Sequence, residues 1–436
     1  MGRMAKPLSL LAYRAFTSRP ESAVHQNLAA QQTAHVISHD EYSQRLALDA
    51  PVLSNAPVLW LNAGSQQAIS PAINLFRQLQ ADRPDLKAIL TFTVKPTVDH
   101  AVPDGLIMQH APDERLGIIS RFLAHWTPEC LIWIGGGFRP ALLEQAKARD
   151  IPLISIDAQD NTSALSIPQK ILGLRSATMA LFDHVFAENA TKAMAWRRAG
   201  LGTDSIEVLG FLEDGAKLPH VNEDELEALK RETSTRPIWF ASQVATGEIP
   251  DVIRAHKSTL RRAHRLLLVV SVRDQTTAEL IEKFCIGQGL RPVFRDDATP
   301  ISEGVQVLIV VGSEEDGLWY RLAPVTFLGQ SLTPGKGSDP FAAAHFGSAI
   351  VHGPNVSDYA ETYKRFQTAK ATYPVKDCQS LGSAVTALLA PDKAAEMANA
   401  AWQVCSQGAE MTDRVAALVH DILDKREETR AEDTAQ

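Results

Sequence analysis

Between Gly317 and Pro354 the chain reads GLWYRLAPVTFLGQSLTPGKGSDPFAAAHFGSAIVHGP, a stretch whose residue types and order could hold an anion. Ala323 to Leu328 is an apolar run of strand length, Gly329 to Asp339 is rich in Gly, Ser, Thr and Pro, and Pro340 to Phe346 has helical composition. A strand, a loop and a helix start in that order aim backbone N–H groups and the positive end of a helix dipole at one spot, which suits a phosphate or a carboxylate. The same order also describes an ordinary strand-to-helix crossover. Farther back, Gly135, Gly136 and Gly137 follow the apolar run Cys130 to Ile134. Glycines there either let a ligand approach the backbone closely or make a flexible turn, and Arg139 beyond them could meet an anionic group.

The elements that must position these residues alternate. Strand-like runs at Val58 to Leu61, Ala88 to Phe92, Leu106 to Gln109, Cys130 to Ile134, Leu153 to Ile156 and His184 to Ala187 are separated by helix-length segments such as Ile69 to Leu79 and Arg115 to His125. A second series runs through Ile238 to Ala241, Arg265 to Val270, Arg291 to Phe294, Val307 to Val311, Val325 to Leu328 and Ala349 to His352. Such βα alternation predicts parallel sheets covered on both faces, and 436 residues exceed what one core usually serves. The boundary is placed near Pro219, before a charged run from Asn222 to Glu232 that reads as a solvated helix. This gives a first domain over 21–218 and a second over 219–436, the latter including the C-terminal helices. Residues 23–56 read as a connecting region, and the charged tail after Arg426 as frayed.

Composition narrows the function classes. A formal net charge of -8 makes no electrostatic case for nucleic-acid binding. Cys130, Cys285, Cys378 and Cys405 lie far apart, with neither disulfide nor zinc spacing, which fits a reducing cytoplasm. No Walker A, G-x-S-x-G or H-E-x-x-H motif occurs, and no metal or cofactor is expected. No segment is a transmembrane span. Residues 1–20, with Leu8, Leu10, Leu11, Tyr13 and Phe16 amid Arg3, Lys6, Arg14 and Arg19, could form a basic amphipathic helix. Such a helix either lies on an anionic membrane surface or packs on its own domain.

The stretch from Gly317 resembles the donor-site signature of the 3-deoxy-D-manno-octulosonic acid (Kdo) transferases, which move Kdo from CMP-Kdo to lipid A precursors. GLWYRLAP stands intact at Gly317 to Pro324. Gly329-Gln330-Ser331-Leu332 is similar to the family's GGSL, Lys336 to Ala342 to its G-G-x-N-P-x-E, and Gly353-Pro354 to its GP turn. The resemblance, running from Val58 to about Phe366, implies a GT-B fold of two Rossmann-like domains facing across a cleft. It implies a glycolipid acceptor, a peripheral place on the cytoplasmic face of the bacterial inner membrane, and donor contacts from Val272, Arg273, Glu314, Glu315, Asp316, Ser338, Asp339, Pro340, Phe341 and Ala342. Arg273 would pair with a phosphate or sugar carboxylate. On the acceptor side it implies Asn62, Ser65, Gln66, Gln67 and Arg139.

The departures from the family remove carboxylates at three separate motifs. Its W-x-H-A-A-S-x-G-E motif, whose last glutamate is taken to be the general base, is met here by Trp60 to Ala68, with Asn62 for His and Ala68 for Glu. Gly135 and Gly137 replace two acidic residues, Asp339 replaces Asn, and Ala342 replaces Glu. An alanine methyl cannot take a proton. The resemblance therefore implies a Kdo-transferase-like glycosyltransferase with its base unassigned, or a degenerate relative that binds a nucleotide sugar, lipid or partner without turnover.

Overall fold

The computed structural model describes residues 7–48, 57–96, 101–156, 171–212, 218–219, 221–233, 236–295 and 301–435. The chain divides into two compact units, Met1–Gly215 with Gln407–Gln436, and Ala216–Ser406. Each unit is built on a seven-stranded parallel sheet, the doubly wound architecture of the GT-B class.

In the first unit the strands are β1 (Val58–Ala63), β2 (Lys87–Phe92), β3 (Leu106–His110), β4 (Cys130–Ile134), β5 (Leu153–Ile156), β6 (His184–Ala187) and β7 (Ile206–Val208), in the order β3-β2-β1-β4-β5-β6-β7. Their continuous apolar character follows from burial of both faces. Leu59 and Leu61 of β1 pack with helix Ile69–Asp82 and with Met411, Val415 and Val419 of the last helix. Val58 and Trp60 point the other way, to a core shared with Tyr13, Phe122 and Leu142. Ala63 lies level with Phe92 and with Ile134, so β1, β2 and β4 end together at one edge.

The second unit carries β8 (Ile238–Ser242), β9 (Leu267–Val272), β10 (Pro292–Phe294), β11 (Val307–Val311), β12 (Val325–Leu328), β13 (Ala349–His352) and β14 (Thr372–Pro374), in the order β10-β11-β9-β8-β12-β13-β14. Leu328 pairs with both Ser242 and His352, and Val272 with Val311. The chain order reverses direction between β8 and β12 here, and between β1 and β4 in the first unit. Such reversals are where open parallel sheets bind ligands, beyond the carboxyl ends of the strands.

The sequence reading needs three corrections. The segment taken as a connector contains helices Ser22–Thr33 and His39–Leu46. The first buries only Leu28, too little to give a periodic signal. The second begins at a Ser38 cap that accepts the Glu41 N–H. The C-terminal residues assigned wholly to the second domain divide instead, because Met411, Val415, Val419 and Leu423 complete the core of the first unit. The tail is also helical to Ala435, anchored by Arg426 Nε to Glu129 Oε2 at 2.7 Å and by a further Arg430–Glu129 pair.

The N-terminal helix divides its apolar residues between its own unit and solvent. Residues 1–6, with Arg3 and Lys6, lie outside the described residues. Helix Leu8–Thr17 buries Leu10, Tyr13 and Thr17 against its own unit, and Tyr13 donates to Glu114 at 2.7 Å. Only part of its apolar surface, Leu8 and Leu11, stays exposed. Among the described residues no helix is long and apolar enough to cross a membrane.

Candidate functional site

At the reversal point of the second unit, the ends of β8, β9 and β12 and the start of helix Asp316–Leu322 gather a buried polar cluster. Ser242 Oγ lies 2.8 Å from Tyr320 Oη and 3.3 Å from Asp316 Oδ2. Gln243 places its Nε2 3.0 Å from Asp316 Oδ2, 3.0 Å from Gly312 O and 3.2 Å from Ser271 Oγ. Gln243 sits at φ 50°, and Gln330, just past β12, at φ 60°. Left-handed backbone at residues other than glycine costs energy and is retained where surroundings impose it, commonly at functional sites.

Burial raises the Asp316 carboxyl from an ordinary 3.8 to about 6, against the hydrogen bonds from Ser271, Gln243 and Ser242 that lower it. Its Oδ1 is buried without a hydrogen-bond partner. The acidic triplet is thus sorted by helical geometry. Glu314 is exposed, Glu315 reaches Arg295 at 3.3 Å, and only Asp316 turns inward.

A stability prediction follows from Asp316. Its folded pKa lies above its unfolded value, so the stability contributed by protonated Asp316 is fully present below about pH 4 and is lost as pH rises to about 6. A shift of about two pH units is worth roughly 3 kcal/mol. Asp316→Asn should therefore be more stable than wild type at pH 7.5, with the advantage shrinking toward pH 4. Urea unfolding of both proteins at pH 4 and 7.5 checks this, and parallel pH dependences would contradict it.

The loop after β12 is organised differently from the phosphate cradle that the sequence suggested. The N–H groups of Gln330, Ser331 and Leu332 all donate, at 2.7 Å, to the carboxylate of Glu248. The helix beyond the loop is only Phe341–His345, and its Phe341 N–H is taken by Asp339 Oδ1 at 2.9 Å. Desolvation raises the Asp339 carboxyl to about 6, only partly offset by that N–H. Ser338 Oγ donates to Gly329 O, while Ser338 O accepts from Tyr363. Pro340 is buried and Phe341 packs edge-on against Phe366, whereas Ala342 is half-buried. Val272 lies in the core, leaving Arg273 exposed just beyond the end of β9.

The reversal point of the first unit is closed by backbone. A Cβ on Gly64 would lie 2.2 Å from Gly135 O, and one on Gly136 would lie 2.4 Å from Gly64 O. Glycine at 64 and 136 is therefore required by the close approach of two loops of the chain itself, and Gly135 sits at φ 59°. Ser65 and Gln66 are half-buried, Gln67 is exposed, and Ala68 is packed among core residues. Asn62 is wholly buried, with Oδ1 accepting from Thr91 at 3.0 Å and Nδ2 unpartnered. Nearby acids are engaged. Asp113 pairs with Arg45 at 3.0 Å, and buried Glu114 accepts from Tyr13, from Ala141 N and from Leu142 N. Burial raises the Glu114 pKa, with half-buried Arg139 the chief opposing influence. Among the described residues no group of three or more His, Cys, Asp or Glu is placed to hold a metal.

Residues 40–213 match the family described as 3-deoxy-D-manno-octulosonic-acid transferase (kdotransferase). A probable mitochondrial 3-deoxy-D-manno-octulosonic acid transferase of Arabidopsis thaliana is 23% identical over 370 residues, 82% of either chain. The corresponding transferase of Haemophilus influenzae is 21% identical over 401 residues, covering 89% of this chain and 94% of its own. The chain is thus similar to Kdo transferases, through the family match in its first unit and through relatives of low identity over most of its length. A crystal structure of the C-terminal CMP-Kdo binding domain of WaaA from Acinetobacter baumannii is also similar, at 22% identity and a TM-score of 0.40, over 42% of this chain and 96% of that one.

The structure brings together Asp316, Ser242, Gln243 and Tyr320, and separately Ser338 with Gly329. It does not bring Glu314 or Glu315 into that cluster. Sequence reasoning missed the parts played by Gln243, Ser271, Glu248 and Tyr320. For Glu248 a signal existed. A glutamate three residues after a helix-start position reaches back to the backbone there, as Glu248 does to Ala245 N at 2.9 Å, but alanine in place of the usual Ser or Thr obscured it.

Proposed function

We propose that this protein is a glycosyltransferase that moves Kdo, or a related acidic sugar, from its CMP-activated form to a lipid A precursor or similar glycolipid. The observation that carries the reading is the donor-side edge of the second unit. There the polar frame of Ser242, Gln243, Asp316 and Tyr320 is intact and Arg273 stands exposed at a strand's carboxyl end. The kinship of the chain, spread over both units, supports the same donor. In the reaction an acceptor hydroxyl oxygen bonds to the anomeric carbon, the bond from that carbon to the CMP phosphate oxygen breaks, and CMP leaves with the electron pair. The guanidinium of Arg273 is suited to hold that phosphate in a bidentate fork. The hydroxyl proton passes to a base that Ala68 cannot supply.

The work site in this proposal is a membrane surface of the inner leaflet. Leu8 and Leu11 are exposed on a helix that also carries exposed Arg14 and Arg19 lies just beyond it, a pairing suited to an anionic interface.

A second reading, binding without turnover, is favoured by the packing of Ala68, at the position of the family's base, into an apolar core. One assay separates the two. Purified protein on anionic phospholipid vesicles carrying a tetra-acylated lipid A precursor is given CMP-Kdo. CMP release with a product heavier by one Kdo is the expected result. CMP binding without release would establish the second reading, and absence of both would sink the proposal.

A further inference from the structure

We infer that Glu248 is a positioning residue for nucleotide binding: its carboxylate is the anion around which the loop after β12 is folded, before any ligand arrives. The identity of the nucleotide, CMP, rests on the function proposed above. The positioning role rests on geometry.

Glu248 is wholly buried at the end of the one-turn segment Thr246–Glu248 that follows β8. Its Oε1 accepts from Ser331 N and Leu332 N, and its Oε2 from Gln330 N and Ala245 N. Four donors fill the acceptor capacity of an ionised carboxylate. The arrangement ties the turn after β8 to the loop after β12, across the point where the strand order reverses. Ser331 Oγ extends the tie to the next strand by accepting from Gly353 N at 2.8 Å.

Two consequences bear on ligand binding. The amides of Gln330 to Leu332 are spent internally, so they are not the groups that receive a donor phosphate. Arg273, exposed just past the end of β9, is then a cation placed at this edge to do so. The loop is also pre-ordered. Gln330 is held at φ 60° with its side chain 3.4 Å from Gln243 O, so the ligand need not supply the free energy of fixing it.

Glu248→Gln tests this in the full chain. The isosteric amide keeps one acceptor oxygen but turns an NH2 toward backbone donors, releasing two of the four bonds. Charge-assisted bonds of this kind are strong enough that CMP affinity should fall ~10- to 100-fold by calorimetry. Amide hydrogen exchange should accelerate at Gln330, Ser331 and Leu332. Ile253→Val, in the adjacent helix, serves as a core variant that lowers stability without touching the loop. It should retain wild-type CMP affinity.

Unchanged CMP binding in Glu248→Gln would overturn the inference and leave the CMP-sugar reading intact. An equal loss in Ile253→Val would also overturn it, by showing the effect to be general destabilisation. Wild-type protein that binds no CMP would overturn both.

Discussion

Arg273→Ala should weaken CMP binding by ~30- to 150-fold while leaving thermal stability unchanged. The two halves of this expectation come from the same observation. Arg273 is exposed immediately past the buried end of β9, and among the described residues it has no ion-pair partner to lose. Its removal therefore costs the fold nothing beyond the few tenths of a kcal/mol typical of surface changes. Its value to a phosphate is that of a charge-assisted, forked contact, of the order of 2 to 3 kcal/mol, which converts to the stated loss. Arg273→Lys should recover only part of the affinity, because a point charge does not reproduce the fork. Calorimetric titration of CMP into the three proteins, with thermal scans alongside, measures all of this. Wild-type affinity in Arg273→Ala would show that the phosphate lies elsewhere.

The elements that position these residues were largely legible. Parallel strands buried on both faces announce themselves as apolar runs, and Cys130–Ile134 and Val307–Val311 could be delimited to the residue. What escaped was short or half-polar. The edge strands Ile206–Val208 and Thr372–Pro374 have three residues each, too few for a pattern. The chain's partition failed for another reason, since the last helix is continuous from Pro391 to Ala435 yet contributes to the first unit's core only from about Met411. No local signal marks that change.

The site was legible in framework and not in role. Glu314, Glu315 and Asp316 are alike in sequence, and only the turn of the helix that begins at Asp316 decides that one is buried and the others are not. The loop glycines and serines allowed either an anion-binding turn or an ordinary crossover, and in the structure the loop N–H groups meet a carboxylate of the chain itself. That its anion would be Glu248, more than eighty residues earlier, depends on β8 and β12 being neighbours, a fact of topology. In the same way, the triple glycine allowed two readings until β1 was found beside β4.

That last contact carries a large stability effect. Gly136→Ala should cost about 4 kcal/mol or more and lower the unfolding midpoint of the first unit by roughly 10 °C. Gly136 sits at φ 71°, where an added methyl alone costs about 1 kcal/mol. The methyl would also lie 2.4 Å from Gly64 O, against backbone that cannot swing aside as a side chain would. Relief requires the two loops to part, which threatens the Gly64 N–H bond to Ile134 O at 2.9 Å and with it the pairing of β1 and β4 at their carboxyl ends. Gly202→Ala is the matched control, because a Cβ there meets nothing within 4 Å and its φ of -63° suits any residue. It should unfold with wild type. The loop that carries Ser65, Gln66 and Gln67 starts at Gly64, so under the proposed function acceptor binding should fail in Gly136→Ala in step with the loosened β1–β4 edge. Equal unfolding midpoints for Gly136→Ala and Gly202→Ala would mean that the two loops do not touch, and the crevice at the head of the first sheet would then be open to a ligand.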